Sequence, residues 1–174
     1  MADEPSDSEE EQLSSRAPER EDLISLCREL NARGARYVVI GGFAMILAGL
    51  PRTTGDVDLI IDVSLENEAK VFAALATLPD RAVLELKPGE VSEYTVVRVC
   101  DDITVDLMAL ASGIDYAEAA TSVVMREIEG VVIPFASPEL LWRMKSRTHR
   151  EKDQMDIAFL RHWFASEGRT PPQV

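Results

Sequence analysis

Residues 41–61 read GGFAMILAGLPRTTGDVDLII, and this stretch decides the fold. Two glycines stand about a dozen residues before Asp56 and Asp58, and these two carboxylates open the apolar run Val57–Ile61. Such a run is expected inside a sheet, where carboxylates are costly unless cations neutralise them. Residues two apart on a strand point to one face, so the two Cα atoms are expected roughly 6.5 to 7 Å apart. The stretch predicts a site for one divalent ion, or for two about 3.5 to 4 Å apart.

The glycine pair lies between a short apolar run, Tyr37–Ile40, and a compact apolar helix predicted over residues 43–48. A strand that ends at glycines leaves backbone and helix N-terminal N–H groups free for a ligand, and such a terminus favours anions. Gly41 and Gly42 are therefore candidates for binding phosphate. A glycine pair after a strand forms a simple turn about as often as it binds phosphate, so the pair alone does not decide between these two interpretations.

A third acid, Asp106, lies in the apolar run Thr104–Met108, in the same kind of setting as Asp58. Three clustered acids repel one another without a cation, and Mg²⁺ prefers carboxylate, phosphate and water oxygens. A Mg²⁺-bound nucleoside triphosphate (NTP) would satisfy them. In such a site Asp56 and Asp58 hold the ion that orients the triphosphate, and Asp106 is the candidate general base for in-line attack at the α-phosphate. The alternatives are a strand-entry turn with a structural ion pair, and a structural role for Asp106.

Three further side chains are candidates for contact with the substrate. Arg52 has forked donors that suit phosphates, but a solvated loop arginine is nearly as common. Thr54 either caps a turn or touches the substrate. Lys145 lies on a mostly buried helix, where it either contacts phosphate or extends its ammonium group to solvent. Lys152 and Asp156 are four residues apart, and this spacing favours a pair on a helix surface.

The composition bounds the class of protein. With 174 residues, 46% apolar and 28% charged, the chain is expected to form one globular domain. No run of about 18 apolar residues offers a membrane span. The N-terminus lacks the basic and then apolar pattern of a secretory signal, so a cytoplasmic protein is expected. Cys27 and Cys100 lie far apart among apolar neighbours and are expected to be buried and reduced.

The net charge is −13, and the first 21 residues hold eight acids and only two bases. An acidic surface repels nucleic acid at long range, so broad non-specific binding to DNA or RNA is not expected. A local basic pocket for an NTP or an RNA end remains compatible with this charge. Residues 1–20 are rich in Glu, Ser and Pro, which predicts a disordered acidic tail. A single folded domain is expected over residues 21–174.

The hydrophobic periodicity predicts helices and strands that alternate along the chain. Helices are predicted from about residue 20 to 33, over 43–48, after Ser64, over 116–120, after Ser137 and over 153–163. Ser64 and Ser137 are the expected N-caps of the helices that follow them. Strands are predicted at 37–40, 57–61, 83–86, 94–99, 103–108, 123–128 and 131–133, with turns at 87–90 and 100–102 and a hairpin tip at Asp101 and Asp102.

These residues resemble the nucleotidyltransferase superfamily that includes DNA polymerase beta. The resemblance covers roughly residues 21–165 and rests on Gly41-Gly42, Asp56-Val57-Asp58 and the distal Asp106. Within it, Arg52-x-Thr54-x-Asp56-x-Asp58, residues 137–145 (SPELLWRMK) and Lys152-Asp153-x-x-Asp156 are similar to small bacterial enzymes related to the nucleotidyltransferase toxins of abortive-infection and toxin-antitoxin systems. The family pattern has Gly or Ser at the position of Gly42, so here backbone N–H groups alone would hold the phosphate.

The resemblance implies an α/β (α+β) fold with a mixed β-sheet flanked by helices and with C-terminal helices. It also implies dependence on Mg²⁺ (or Mn²⁺) and transfer of a nucleoside monophosphate from an NTP to a hydroxyl, with release of pyrophosphate. The acceptor stays open between an RNA end such as that of tRNA, a protein side chain and a small molecule such as an antibiotic, and an antitoxin is a candidate partner. The alternative is a non-catalytic nucleotide-binding or partner-binding module of the same fold.

Overall fold

The computed structural model describes residues 14–174, and within them six strands form one mixed sheet. The strands are β1 (Tyr37–Ile40), β2 (Val57–Ile61), β3 (Val96–Cys100), β4 (Thr104–Met108), β5 (Val123–Ile128) and β6 (Val131–Ala136). Their order across the sheet is β3-β4-β2-β1-β6-β5. The pairs β2–β4 and β1–β6 are parallel, whereas β1–β2, β3–β4 and β5–β6 are antiparallel. This arrangement confirms the predicted mixed sheet.

Helices flank the sheet, as predicted. They are α1 (Arg20–Ala32), α2 (Gly41–Ala48), α3 (Leu65–Leu75), α4 (Glu90–Tyr94), α5 (Tyr116–Ala119), α6 (Pro138–Ser146) and α7 (Asp153–Ser166). The α1 helix packs on α3 and β6, α2 packs on β1, β2 and α6, and α6 packs on α7. The predicted N-caps are confirmed, because the hydroxyls of Ser64 and Ser137 accept N–H bonds in the first turns of α3 and α6. In the described part of the chain, no helix is long and apolar enough to cross a membrane.

The burial of the strands follows their position in the sheet. All four residues of β1 are buried, and in β2 only Asp58 is partly exposed, so these two form the interior of the sheet. The β3 strand alternates between exposed and buried residues, as an edge strand with one covered face does. Cys100 is therefore exposed at the end of β3, which corrects the prediction that it is buried, whereas Cys27 is buried as predicted.

The strand predicted over residues 83–86 is wrong, because residues Ala82–Glu85 form a 3₁₀ helix. The Asp101 carboxylate accepts the backbone N–H groups of Asp80 at 3.0 Å and Ala82 at 2.9 Å. The N–H of Leu84 then bonds back to the carbonyl of Arg81 at 3.0 Å. Because these backbone N–H groups already have partners, they need no hydrogen bonds to a neighbouring strand.

The turn predicted over residues 87–90 is confirmed, because the N–H of Glu90 donates to the carbonyl of Lys87 at 3.3 Å, but the early start of the next strand is wrong. Residues Glu90–Tyr94 form α4, and β3 begins only at Val96. The buried Glu68 accepts the N–H of Gly89 at 2.6 Å, which fixes the start of this short helix from another part of the chain. Thr95, with φ at 69°, separates the helix from the strand.

Part of the predicted acidic tail lies against the domain. The backbone N–H of Arg16 donates to the carbonyl of Asp102 at 2.9 Å, and its guanidinium group contacts the carboxylates of Asp22 and Asp102. The Ser15 hydroxyl donates to the Asp101 carbonyl at 2.7 Å. Ser15 and Arg16 therefore attach this part of the chain to the β3–β4 hairpin. The rest of the predicted tail, residues 1–13, lies outside the described residues.

These contacts predict that two neighbouring aspartates differ in their effect on stability. Asp101→Ala is expected to lower the free energy of unfolding by about 2 to 4 kcal/mol, because it leaves partly buried N–H groups of the 3₁₀ helix without a partner. The matched variant Asp102→Ala removes only an exposed ion pair and is expected to cost less than about 1 kcal/mol. Urea unfolding monitored by circular dichroism measures both. Equal losses would show that Asp101 does not hold this segment.

Candidate active site

The glycine turn lies directly beside one of the predicted acids. Gly41 and Gly42 begin α2 immediately after β1, and the antiparallel register of β1 and β2 pairs Ile40 with Asp58. Gly41 has a φ of +66°, and a Cβ atom at this position would lie 2.1 Å from Asp58 Oδ2. Only glycine accommodates both the left-handed backbone and this close approach.

Gly42 faces the loop between α2 and β2. A Cβ atom at Gly42 would lie 2.4 Å from Thr54 Oγ1 and 3.3 Å from Arg52 Nη2. The Thr54 hydroxyl donates to the carbonyl of Asp56 at 3.1 Å, which is the turn-capping contact that the sequence offered as one of two alternatives. The loop therefore closes on the glycine turn and positions the first of the acids.

The sheet brings the three predicted acids together. The parallel register of β2 and β4 pairs Asp58 with Asp106, and Asp56 stands two residues before Asp58. One carboxylate oxygen from each of the three lies within 4.8 Å of the other two. Burial, together with the charges of Asp56 and Asp106, raises the pKa of Asp58 to about 7. A nearby cation would relieve both effects.

This donor set fits a hard divalent cation. Carboxylate oxygens on converging strands are the protein ligands that Mg²⁺ and Mn²⁺ take, and the substrate and water commonly supply the remaining positions. Among residues 14–174, Asp56, Asp58 and Asp106 are the only group of three His, Cys, Asp or Glu side chains that converges in this way. The raised pKa of Asp58 indicates a site in which ionised carboxylates lack sufficient positive charge.

Arg98 is a residue of the site that the sequence analysis missed. Its Nε and Nη2 atoms donate to the two oxygens of Asp106, each at 2.9 Å, and Nη2 also donates to Asp56 Oδ2 at 3.1 Å. The β3–β4 register sets Arg98 directly opposite Asp106. Counting outward from the predicted tip at Asp101 and Asp102 pairs Arg98 with Val105, one residue short of its observed partner Asp106, so the predicted turn did not identify this contact.

Two further aspartates, Asp153 and Asp156, also line the cleft and bind its two predicted cations. Arg52 Nη1 lies 2.6 Å from Asp156 Oδ1, and Lys145 Nζ lies 2.9 Å from Asp156 Oδ2 and 3.1 Å from Asp153 Oδ1. Asp153 and Asp156 are both buried. The prediction that Asp156 forms a helix-surface pair with Lys152 is therefore wrong. Asp156 faces inward, where it holds the side chains of Arg52 and Lys145 at the same cleft.

All eight candidate residues line one cleft of about 500 Å³. They are Gly41, Gly42, Arg52, Thr54, Asp56, Asp58, Asp106 and Lys145. The cleft has the glycine turn, Arg52 and Lys145 on its walls together with the three acids, so it combines donors for an anion with ligands for a cation. The roles assigned to these residues stay predictions.

The pKa of Asp58 predicts how stability depends on pH. Because the folded-state pKa of about 7 exceeds the ordinary 3.8, the contribution of Asp58 to stability falls as the pH rises from about 4 to about 7. At pH 8 this penalty is at most about 4 kcal/mol. In EDTA, Asp58→Asn is therefore expected to raise the free energy of unfolding, and to raise it more at pH 8 than at pH 5. Urea titrations at the two pH values measure the difference.

Asp62, which directly follows β2, provides a control for which the opposite change in stability is expected. The backbone N–H of Ser64 and the guanidinium group of Arg36 hold the pKa of Asp62 below its ordinary value. Asp62→Asn is therefore expected to lower stability at pH 8. A gain for Asp58→Asn that is the same at both pH values would contradict the assigned penalty.

One family model matches this chain, and two solved structures are similar to it. The family model described as "Nucleotidyl transferase of unknown function (DUF2204)" matches residues 19–169. The solved structure of an antigenic nucleotidyltransferase-like protein from Paracoccidioides brasiliensis is similar, with a TM-score of 0.52 and 18% identity over 83% of this chain and 74% of that chain. At this identity the likeness concerns the fold alone.

A second solved structure, of a candidate nucleotidyltransferase from Thermotoga maritima, has a TM-score of 0.47 and 17% identity over 86% of this chain and 97% of that chain. No curated protein sequence is significantly similar to this chain. The family model spans most of the chain, including the glycine turn, the three acids and both C-terminal helices. The chain therefore belongs to the family of nucleotidyl transferases of unknown function (DUF2204).

Proposed function

We propose that the protein is a Mg²⁺- or Mn²⁺-dependent nucleotidyltransferase that moves a nucleoside monophosphate from an NTP to a hydroxyl group. The observation that carries this proposal is the convergence of three carboxylates within 4.8 Å in the cleft that the glycine turn also lines. Asp56, Asp58 and Asp106 would hold the ion, which when bound neutralises the triphosphate and makes the attacking hydroxyl more acidic. An NTP substrate agrees with the cytoplasmic location expected from the sequence.

The residues of the chain have distinct parts in this reaction. The N–H groups of Gly41 and Gly42, at the start of α2, donate to the phosphates. Arg52 and Lys145 add positive charge along the same wall. The acceptor oxygen bonds to the α-phosphorus as the bond to pyrophosphate breaks, and Asp106 accepts the proton of the acceptor hydroxyl.

One observation favours a second candidate, nucleotide binding without transfer. Arg98 contacts both Asp56 and Asp106, so positive charge is already present between two of the three acids. A module that binds nucleotide through the glycine turn and its cations would need no divalent ion. The two candidates differ in whether the α-phosphate leaves the NTP.

The transfer proposal predicts the behaviour of two isosteric variants. The wild type is expected to move label from an α-labelled NTP to an acceptor in total RNA or protein in the presence of Mg²⁺ or Mn²⁺. Asp58→Asn and Asp106→Asn are expected to lose at least about a hundredfold of this activity, because each removes an anionic ligand of the divalent ion. Asp62→Asn, which changes an acid outside the cleft, is the matched control and keeps the activity. Nucleotide binding by calorimetry without any transfer of label would support the second candidate.

The proposal extends to a toxin of a toxin-antitoxin pair, with an antitoxin as partner. The support is the likeness of residues 137–145 and of Lys152-Asp153-x-x-Asp156 to the toxin-related enzymes. A toxin is expected to stop bacterial growth when expressed and to place label on tRNA, and Asp106→Asn is expected to abolish both effects. Normal growth with label on an added aminoglycoside would instead indicate an antibiotic-modifying enzyme. Growth curves and gel analysis of the labelled products separate these outcomes.

A further inference from the structure

Arg98 occupies the carboxylates that the proposed function assigns to the metal ion. Two of its nitrogens donate to the two oxygens of Asp106, and one of them also reaches Asp56. In the described residues, Arg98 makes no hydrogen bond to the carboxylate of Asp58. The guanidinium group therefore contacts two of the three acids and leaves the carboxylate of Asp58 without such a contact.

A divalent ion and this guanidinium group compete for the same oxygen atoms. Both oxygens of Asp106 are engaged in a forked pair at 2.9 Å, a geometry that directs two donors along the lone pairs that a metal would use. Two cations bound to one carboxylate also repel each other. An ion can reach Asp58 with Arg98 in position, whereas full ligation by Asp106 requires Arg98 to leave.

The structure gives Arg98 room to move. Its side chain is 59% exposed, and it lies on β3, the strand at one edge of the sheet. The other cations of the cleft are fixed more firmly, because the side chain of Lys145 is only 13% exposed and lies between two buried aspartates. The carboxylate of Asp106 is itself buried, so Arg98 can leave it only when another cation supplies the positive charge in its place.

We propose that Arg98 is an internal counter-ion of the site, which holds Asp106 in the free protein and which a divalent ion must displace before Asp106 can act. This inference rests on the proposed function. It assigns to Arg98 a direct role at the reacting centre, because Asp106 can neither ligate an ion fully nor accept a proton while both of its oxygens are engaged.

The test is calorimetric titration of Mn²⁺ into the protein without nucleotide. Arg98→Ala is expected to bind Mn²⁺ at least about tenfold more tightly than the wild type, because an opposite charge at this range alters the cation affinity of a carboxylate by that order. Arg98→Lys keeps one charge but lacks the fork, so its affinity is expected to lie between the two. Arg126→Ala removes an exposed arginine from β5, far from the acids in the sheet order, and is the matched control.

Thermal unfolding in EDTA, followed by addition of Mn²⁺, gives a readout that is independent of activity. The increase in Tm on adding Mn²⁺ is expected to be larger for Arg98→Ala than for the wild type. If Arg98→Ala does not fold in EDTA, Arg98→Lys and Arg98→Gln replace it in both measurements.

The outcomes separate this inference from the proposed function. If Arg98→Ala binds Mn²⁺ no more tightly than the wild type while Asp58→Asn abolishes binding, the metal site stands and the role of Arg98 is overturned. If neither the wild type nor Arg98→Ala binds Mn²⁺, the metal-dependent function and the role of Arg98 both fail. If Arg98→Ala binds Mn²⁺ and the wild type binds it more weakly or not at all, the role of Arg98 is supported.

Discussion

The register of β2 against β4 is the constraint on which the site depends. It pairs Asp58 with Asp106, so two acids that are far apart in the chain point to the same face of the sheet. The neighbouring registers then bring the glycine turn to Asp58 and Arg98 to Asp106. Because side chains alternate between the two faces, a slip of one residue in any of these pairs would turn an essential group to the opposite face.

Around this register the protein arranges two kinds of positive charge. Arg52 and Lys145 are held by the buried Asp156, whose cost of burial is offset by these two ion pairs. Arg98 is exposed and is held only by the acids of the site itself. In the proposed function the first kind faces the phosphates, and the second kind yields to the divalent ion. In this way a protein with a net charge of −13 presents positively charged side chains in one cleft.

Much of the fold and of the site could be predicted because the signals were local. Two acids with a spacing of two in the apolar run of β2 indicated a shared face, and serine caps indicated the starts of α3 and α6. The errors came where a distant side chain changed a local preference. Asp101 draws residues that resemble a strand into a 3₁₀ helix, and Glu68 fixes the start of α4. Neither contact can be recognised from the sequence of the segment whose conformation it changes.

The sequence by itself determined the central strands, the longer helices and the candidate acids, because periodicity and apolar runs depend on neighbouring residues only. The tertiary structure alone decided which charges meet. The spacing of Lys152 and Asp156 suits a helix-surface pair, yet Asp156 faces inward to Arg52, which is 104 residues away. The pairing of Arg98 with Asp106 likewise needs the hairpin to form. Such contacts depend on strand register and helix packing, which are settled only when the whole sheet is assembled.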